Sequence, residues 1–281
     1  MSASAHAAER AFFRLDIADA LRSRWVAASA VTYAAVFGLF IWLGLRESSV
    51  LGFTGLSRVV LNLSSAIVLV LPLVALIATS QTVVAARRSG HFELFLTQPC
   101  RRAQWFTAVV ASRTAIVLAP LLVLLAAAVL VGRLTGEIGL ELLVLRAAGV
   151  TGALAFAYVG LGFAVSVYAP NPERATVYAL LLWLVGSALH DFALIGVLLA
   201  FRLEPAVVFA LAALNPMEAA RLGILAGVDP ELSVFGPVGF WLANTLGPML
   251  TTLLGIGWPL LVGAGALTLS RYRLSRMDLI A

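Results

Sequence analysis

Six predominantly apolar runs, Val26–Leu45, Val59–Val84, Trp105–Val131, Leu142–Tyr168, Ala175–Phe201 and Leu246–Leu269, are each at least twenty residues long. A helix of about 20 apolar residues crosses the hydrocarbon core of a bilayer. An unpaired backbone N–H or C=O costs several kcal/mol there, so a spanning chain must be helical or closed into a barrel. Barrel strands alternate apolar and polar residues, whereas these runs are continuous. With 62% hydrophobic and 12% charged residues, a chain of 281 residues has more apolar surface than one water-soluble core can hide. The expected fold is an all-α membrane protein with six transmembrane helices in one domain over residues 26–270. No basic, short-apolar, small-residue arrangement precedes the first run, so it is expected to stay as an anchor.

All nineteen basic residues are arginine. If both termini are cytoplasmic, that side holds thirteen of them: Arg10, Arg14, Arg22, Arg24, Arg87, Arg88, Arg101, Arg102, Arg113, Arg174, Arg271, Arg273 and Arg276. The opposite side then holds six: Arg46, Arg58, Arg133, Arg146, Arg202 and Arg221. This is the asymmetry of a multi-pass protein with its basic loops inside. The net charge of +5 therefore reports topology and contact with anionic membrane lipid, and no nucleic-acid partner is expected. The absence of lysine excludes a phosphate-binding loop of the GxxxxGK[ST] form, so any ATP-driven activity needs the nucleotide site on a second polypeptide.

Two segments outside the runs carry helical periodicity. Phe13, Ile17, Leu21 and Trp25 recur every four residues, with Arg10, Arg14, Asp16, Asp19, Arg22 and Arg24 on other faces. Residues 1–25 thus read as an interfacial amphipathic helix with arginines at the headgroups, the competing reading being a frayed basic leader. Between the second and third runs, residues 85–102 form a short segment fenced by Arg87-Arg88 and Arg101-Arg102. Phe92, Phe95 and Leu96 make an apolar stripe, Ser89 or His91 is placed to cap the start, and Pro99 closes the end. Such a segment is either a plain connection or a surface that receives a push from a soluble partner.

His190 and Asp191 lie deep in the fifth run, where ionisable groups are expensive and usually face the bundle or a cavity. A pathway or dimer-core role and a purely structural one both fit. Arg113 and Arg146 sit nearer run ends and are expected to snorkel. Residues 201–245 contain Val207–Leu214 and Val234–Leu242, apolar but too short to cross, and between them Asn215-Pro216 opens a short helix in which Glu218 and Arg221 are spaced to pair. This half-inserted segment is expected to meet a periplasmic partner through Asn215, Pro216, Glu218 and Arg221, or simply to lie against lipid. Copper ligands are sparse and scattered, with one cysteine, four methionines and three histidines, so no metal site is expected. No serine or histidine falls on a nucleophile-elbow or HExxH pattern, and no catalytic residue is expected.

Several motifs, in order along nearly the whole chain, are similar to those of ABC-2 type transporter permeases, and among them to the permeases that serve nitrous-oxide reductase maturation. They are LDIADALRSRW (Leu15–Trp25), GFTG (Gly52–Gly55), LVLPLVALIA (Leu69–Ala78), ELFLTQP (Glu93–Pro99), HDF (His190–Phe192) and LNPMEAARL (Leu214–Leu222). The resemblance implies an elbow helix before the first span, a cytoplasmic coupling helix in 85–102, re-entrant periplasmic pieces in 201–245 and a cytoplasmic tail at 271–281. It assigns ATPase coupling to Arg87, Arg88, Gly90, Phe92, Glu93, Phe95, Leu96, Thr97 and Pro99. The elbow role falls on Phe13, Ile17, Leu21, Arg22, Arg24 and Trp25. It further implies a homodimer in the bacterial inner membrane, driven by a separate cytoplasmic NosF-like ATPase that uses ATP and Mg, with a NosD-like protein on the periplasmic side. The cargo it suggests is a sulfur-containing species for a copper–sulfide centre. Family members usually carry acidic residues where this chain has Ala86, Arg87 and Arg88, a departure that puts the mode of docking in question. An exporter of a drug, lipid or polysaccharide, and a membrane scaffold without an ATPase, are the alternatives.

Overall fold

The computed structural model describes residues 2–22, 27–28, 30–35, 38–39, 55–90, 92, 101–135, 140–229, 232 and 236–277. Helices dominate: α1 (Ser2–Arg22), α2 (Gly55–Thr79), α3 (Thr82–Arg88), α4 (Arg102–Thr135), α5 (Leu140–Tyr168) and α6 (Pro172–Leu184). A π-helical turn (Val185–Leu189) leads without a loop into α7 (His190–Ala200). There follow α8 (Pro205–Ala213), α9 (Pro216–Val228), α10 (Gly236–Thr245) and α11 (Gly247–Arg276). No strand occurs among the described residues.

Five helical stretches are long and apolar enough to cross a membrane: Ala66–Arg88, Arg102–Ala127, Glu141–Tyr168, Pro172–Ala200 and Gly247–Arg276. They coincide with five of the six expected runs. Most of the first run, Val26–Leu45, lies outside the described residues, and those described between 27 and 39 are helical. A further apolar pair, α8 and α9, bends by 116° at Leu214-Asn215. The bend has a local cause: Pro216 cannot donate a backbone hydrogen bond and sits at the first position of α9, where none is needed. Asn215 caps that helix, its Oδ1 accepting from Met217 N at 3.0 Å.

The central element is α5, whose residues Val150, Leu154, Ala155, Ala157, Val159, Phe163 and Val167 are essentially inaccessible. It packs most intimately on α11, and the reason is steric. A Cβ on Gly263 would come within 2.8 Å of Phe156 O and 2.9 Å of Ala157 Cα, so only glycine lets these backbones touch. On the opposite flank, α6 buries only Ala175 and Ala179, and the π turn and α7 bury no residue.

Between α2 and α3 the chain turns at Ser80-Gln81, which leaves the first amides of α3 without helical partners. Ser166 of α5 meets this need, its Oγ accepting from Val83 N at 2.8 Å and Val84 N at 3.2 Å. At its other end α3 stops at Gly90, which has φ +71°, the left-handed residue that commonly terminates a helix. Ser89 donates back to Ala86 O at 3.3 Å. Ser89 therefore helps to close α3, and the start of the helix expected after it lies largely outside the described residues.

Candidate coupling face and buried charge cluster

Two of the arginines around the expected coupling segment, Arg87 and Arg102, turn inward. Arg87 donates through Nη2 to Ala169 O at 3.0 Å and Pro170 O at 3.5 Å, the exposed carbonyls of the α5–α6 turn. Its Nη1 approaches the Met277 sulfur at 3.7 Å. Arg102 donates to Met277 O at 2.9 Å and Leu274 O at 3.5 Å, supplying the last carbonyls of α11 with the cation that a helix C-terminus favours. Arg87 and Arg102 stand on either side of the segment, and both hold the end of the same helix. Arg88 pairs with Glu173 of the first turn of α6 at 3.1 Å, with both side chains largely exposed, so the pair is worth under about 1 kcal/mol. These arginines thus have an internal use: their side chains are engaged with the α5–α6 turn, α6 and the end of α11.

Phe92 is buried, 3% exposed, and stacks edge-to-face on Trp105 with ring centroids 4.8 Å apart. Its apolar side serves the core, and any contact with a soluble partner falls to other residues. Glu93, Phe95, Leu96, Thr97 and Pro99 lie outside the described residues.

The N-terminal helix is anchored by a pair that the sequence reading placed elsewhere. Asp16 is expected on a face away from the apolar stripe of the first helix, and Arg113 is expected to snorkel. Instead Arg113 Nη2 donates to Asp16 Oδ1 at 2.7 Å, with side-chain exposures of 15% and 13%. Ser112 Oγ donates to the other carboxylate oxygen. Arg113 also reaches Ala78 O of α2 at 3.4 Å, so one guanidinium joins α1, α2 and α4. A long arginine near the end of a span reads the same from sequence whether it snorkels or pairs. The missed signal was Asp16, an acid on a helix whose apolar face must lie against the bundle. Among the other elbow candidates, Phe13 and Ile17 are half-buried, Leu21 and Arg22 are exposed, and Arg24 and Trp25 lie outside the described residues.

On the other half of the bundle, Asp191 of α7 and Glu218 of α9 share Arg221. Arg221 Nη1 lies 2.7 Å from Glu218 Oε1, the pair expected from the spacing, and 3.7 Å from Asp191 Oδ2, a link across thirty residues of sequence. Glu218 is buried, and Arg221 and Asp191 are partly covered. Neighbouring His190 has its Nε2 buried without a hydrogen-bond partner among the described residues. Beside this cluster the π turn frees a carbonyl, and Asn215 Nδ2 donates to Gly186 O at 2.6 Å. Asn215 therefore caps α9 with one atom and clamps the π turn with another. Asn215 and Glu218 are 6% and 8% exposed, which leaves them little surface to offer a soluble partner. Pro216 sits at the bend itself.

A bundle of apolar helices, five of them long enough to cross a membrane, with a further helix held against its flank, describes a multi-span membrane protein. Comparison with known families gives the same class: residues 10–279 match the model of the ABC-2 family transporter protein, and the chain belongs to that family. Among characterised relatives, it is 30% identical over 222 residues to the probable ABC transporter permease protein NosY of Pseudomonas aeruginosa, covering 77% of this chain and 81% of that one. It is 26% identical over 230 residues to the NosY of Stutzerimonas stutzeri, covering 79% and 83%.

Proposed function

We propose that this chain is the permease half of an ABC transporter that supports nitrous-oxide reductase maturation in the bacterial inner membrane. ATP and Mg are handled by a separate NosF-like cytoplasmic ATPase, since the chain has no lysine with which to build a phosphate-binding loop. Two permease chains assemble as a homodimer with both termini cytoplasmic. The scantily buried α6–α7 span is available to lipid or to a second copy.

The single observation that carries the coupling role is the double attachment of α11: Arg87 and Arg102 flank the coupling segment, and both bond to Met277. A push on the segment by the ATPase is delivered to α11, and from there to α5 through the tight helix contact at Gly263. The elbow, α1, is pulled with α2 and α4 through Arg113. The cargo is a sulfur-containing species, a reading supported by the NosY likeness and by the scarcity of copper ligands in the chain. The bent α8–α9 pair acts as the re-entrant element on the periplasmic side, near a NosD-like partner.

Replacing Phe95 and Leu96 together with aspartate tests the coupling. ATPase co-purification is expected to fall to background, and undiminished recovery of the ATPase would refute it. A pull-down from the native host tests the pathway: an ATPase together with a periplasmic repeat protein is the expected result. An ATPase alone would favour export of a drug, lipid or polysaccharide.

A further inference from the structure

Two grooves meet on the outer face of α4. One, about 550 Å³, runs between α4, α5 and α11 and is lined by Phe106, Val110, Leu118, Phe156 and Leu267, ending at Arg271. The other, about 590 Å³, lies between α1 and α4 and is bordered by Glu9, Arg10, Phe13 and Arg14. Thr107 and Ala111, one turn apart on α4, line both. The two grooves therefore adjoin along α4 as the two arms of one channel, with Arg10 and Arg14 bordering one arm and Arg271 the other. All three are exposed, and none has a hydrogen-bond or ion-pair partner among the described residues. Other arginines on this half of the bundle, Arg87, Arg88, Arg102 and Arg113, are engaged with protein groups.

We infer that this channel is a binding site for an anionic glycerophospholipid. Three arginines against the one carboxylate of Glu9 select a phosphate-bearing headgroup with net negative charge over a zwitterionic one. The apolar arm follows α4 from Phe106 to Leu118, a rise of about 18 Å at 1.5 Å per residue. That matches the depth of one leaflet, about 15 Å, so an acyl chain fills the arm when its phosphate lies at the arginines. A free phosphate would satisfy the arginines and leave the apolar arm empty. The bound lipid bridges α1 to α11, two helices at the proposed coupling end. The inference rests on α1 lying at the membrane face as proposed above, and on nothing about cargo.

The test uses the full chain, purified in mild detergent with whatever ATPase accompanies it. Lipid retention is read by native mass spectrometry, and affinity by titration with phosphatidylglycerol, with phosphatidylcholine and inorganic phosphate as comparators. Each basic residue near a headgroup contributes roughly fivefold in affinity, so the triple variant Arg10→Gln, Arg14→Gln, Arg271→Gln should bind phosphatidylglycerol on the order of 100-fold more weakly. The triple variant Arg88→Gln, Arg174→Gln, Arg276→Gln removes equal charge away from the channel and should bind as wild type. Ala115→Phe, at an exposed position lining the apolar arm, should expel the lipid without removing charge. Equal losses in the two triple variants, full retention in Ala115→Phe, or equal binding of phosphatidylcholine or inorganic phosphate would each overturn the site. ATPase recovery is scored in the same samples, so failure of the transporter reading registers separately.

Discussion

Replacing Arg221 with methionine removes the cation shared by Glu218 and Asp191 while keeping an unbranched side chain of comparable length. Glu218 is 8% exposed and loses a partner 2.7 Å away; Asp191, about one-third exposed, loses a looser one at 3.7 Å. Removing one member of a buried ion pair costs about 3–5 kcal/mol, because the remaining charge stays desolvated. Asp191 is only partly covered and its link to Arg221 is the looser one, so the lower end, about 3 kcal/mol, is the appropriate figure. In a domain of this size 1 kcal/mol moves the melting temperature by about 2–4 °C, and Arg221→Met should therefore lower it by about 6–12 °C. The assay is the loss of the monodisperse peak in size-exclusion chromatography after heating in mild detergent. Adding Glu218→Gln to Arg221→Met removes the stranded carboxylate and should recover much of the loss. The reasoning is refuted if Arg221→Met melts within about 2 °C of wild type, or if the double variant is no more stable than the single one.

Gly263→Ala should separate α5 from α11, since its new methyl meets backbone atoms of Phe156 and Ala157; an overpacking cost of about 1–3 kcal/mol is expected, read by the same melting assay. Asp16→Leu should release α1 from Ser112 and Arg113, and trypsin should then cleave after Arg10, Arg14 and Arg22 several-fold faster; unchanged cleavage would show that α1 is held by other contacts.

The spans were legible because run length alone decides them in hydrocarbon, and the α9 helix was legible because Asn215-Pro216 is a self-sufficient start signal with Glu218 and Arg221 in register. The uses of the arginines were not legible. Arg87 and Arg102 bond to backbone carbonyls at Ala169, Pro170, Leu274 and Met277, and a carbonyl has no letter in the sequence. Phe92 belongs to an apolar stripe with the periodicity of an amphipathic helix, and periodicity does not say which side Trp105 occupies. The Asp191–Arg221 link crosses between two helices, one of which is entered through a 116° bend that no local pattern measures.

The π turn at Val185–Leu189 carries a genetic consequence. A π turn within an α-helix is equivalent to one inserted residue. Deleting a single codon there would let α6 and α7 run on as one continuous α-helix, shortened rather than broken. The wider π turn absorbs that residue, so the four residues left at α pitch turn through nearly the same angle, and His190 to Ala200 would keep their facing relative to α6. Asp191 would still face Arg221, while the Gly186 carbonyl would no longer need Asn215. The five residues of the turn, with no charged side chain among them, thus take up one residue of helix length without turning the surface beyond them.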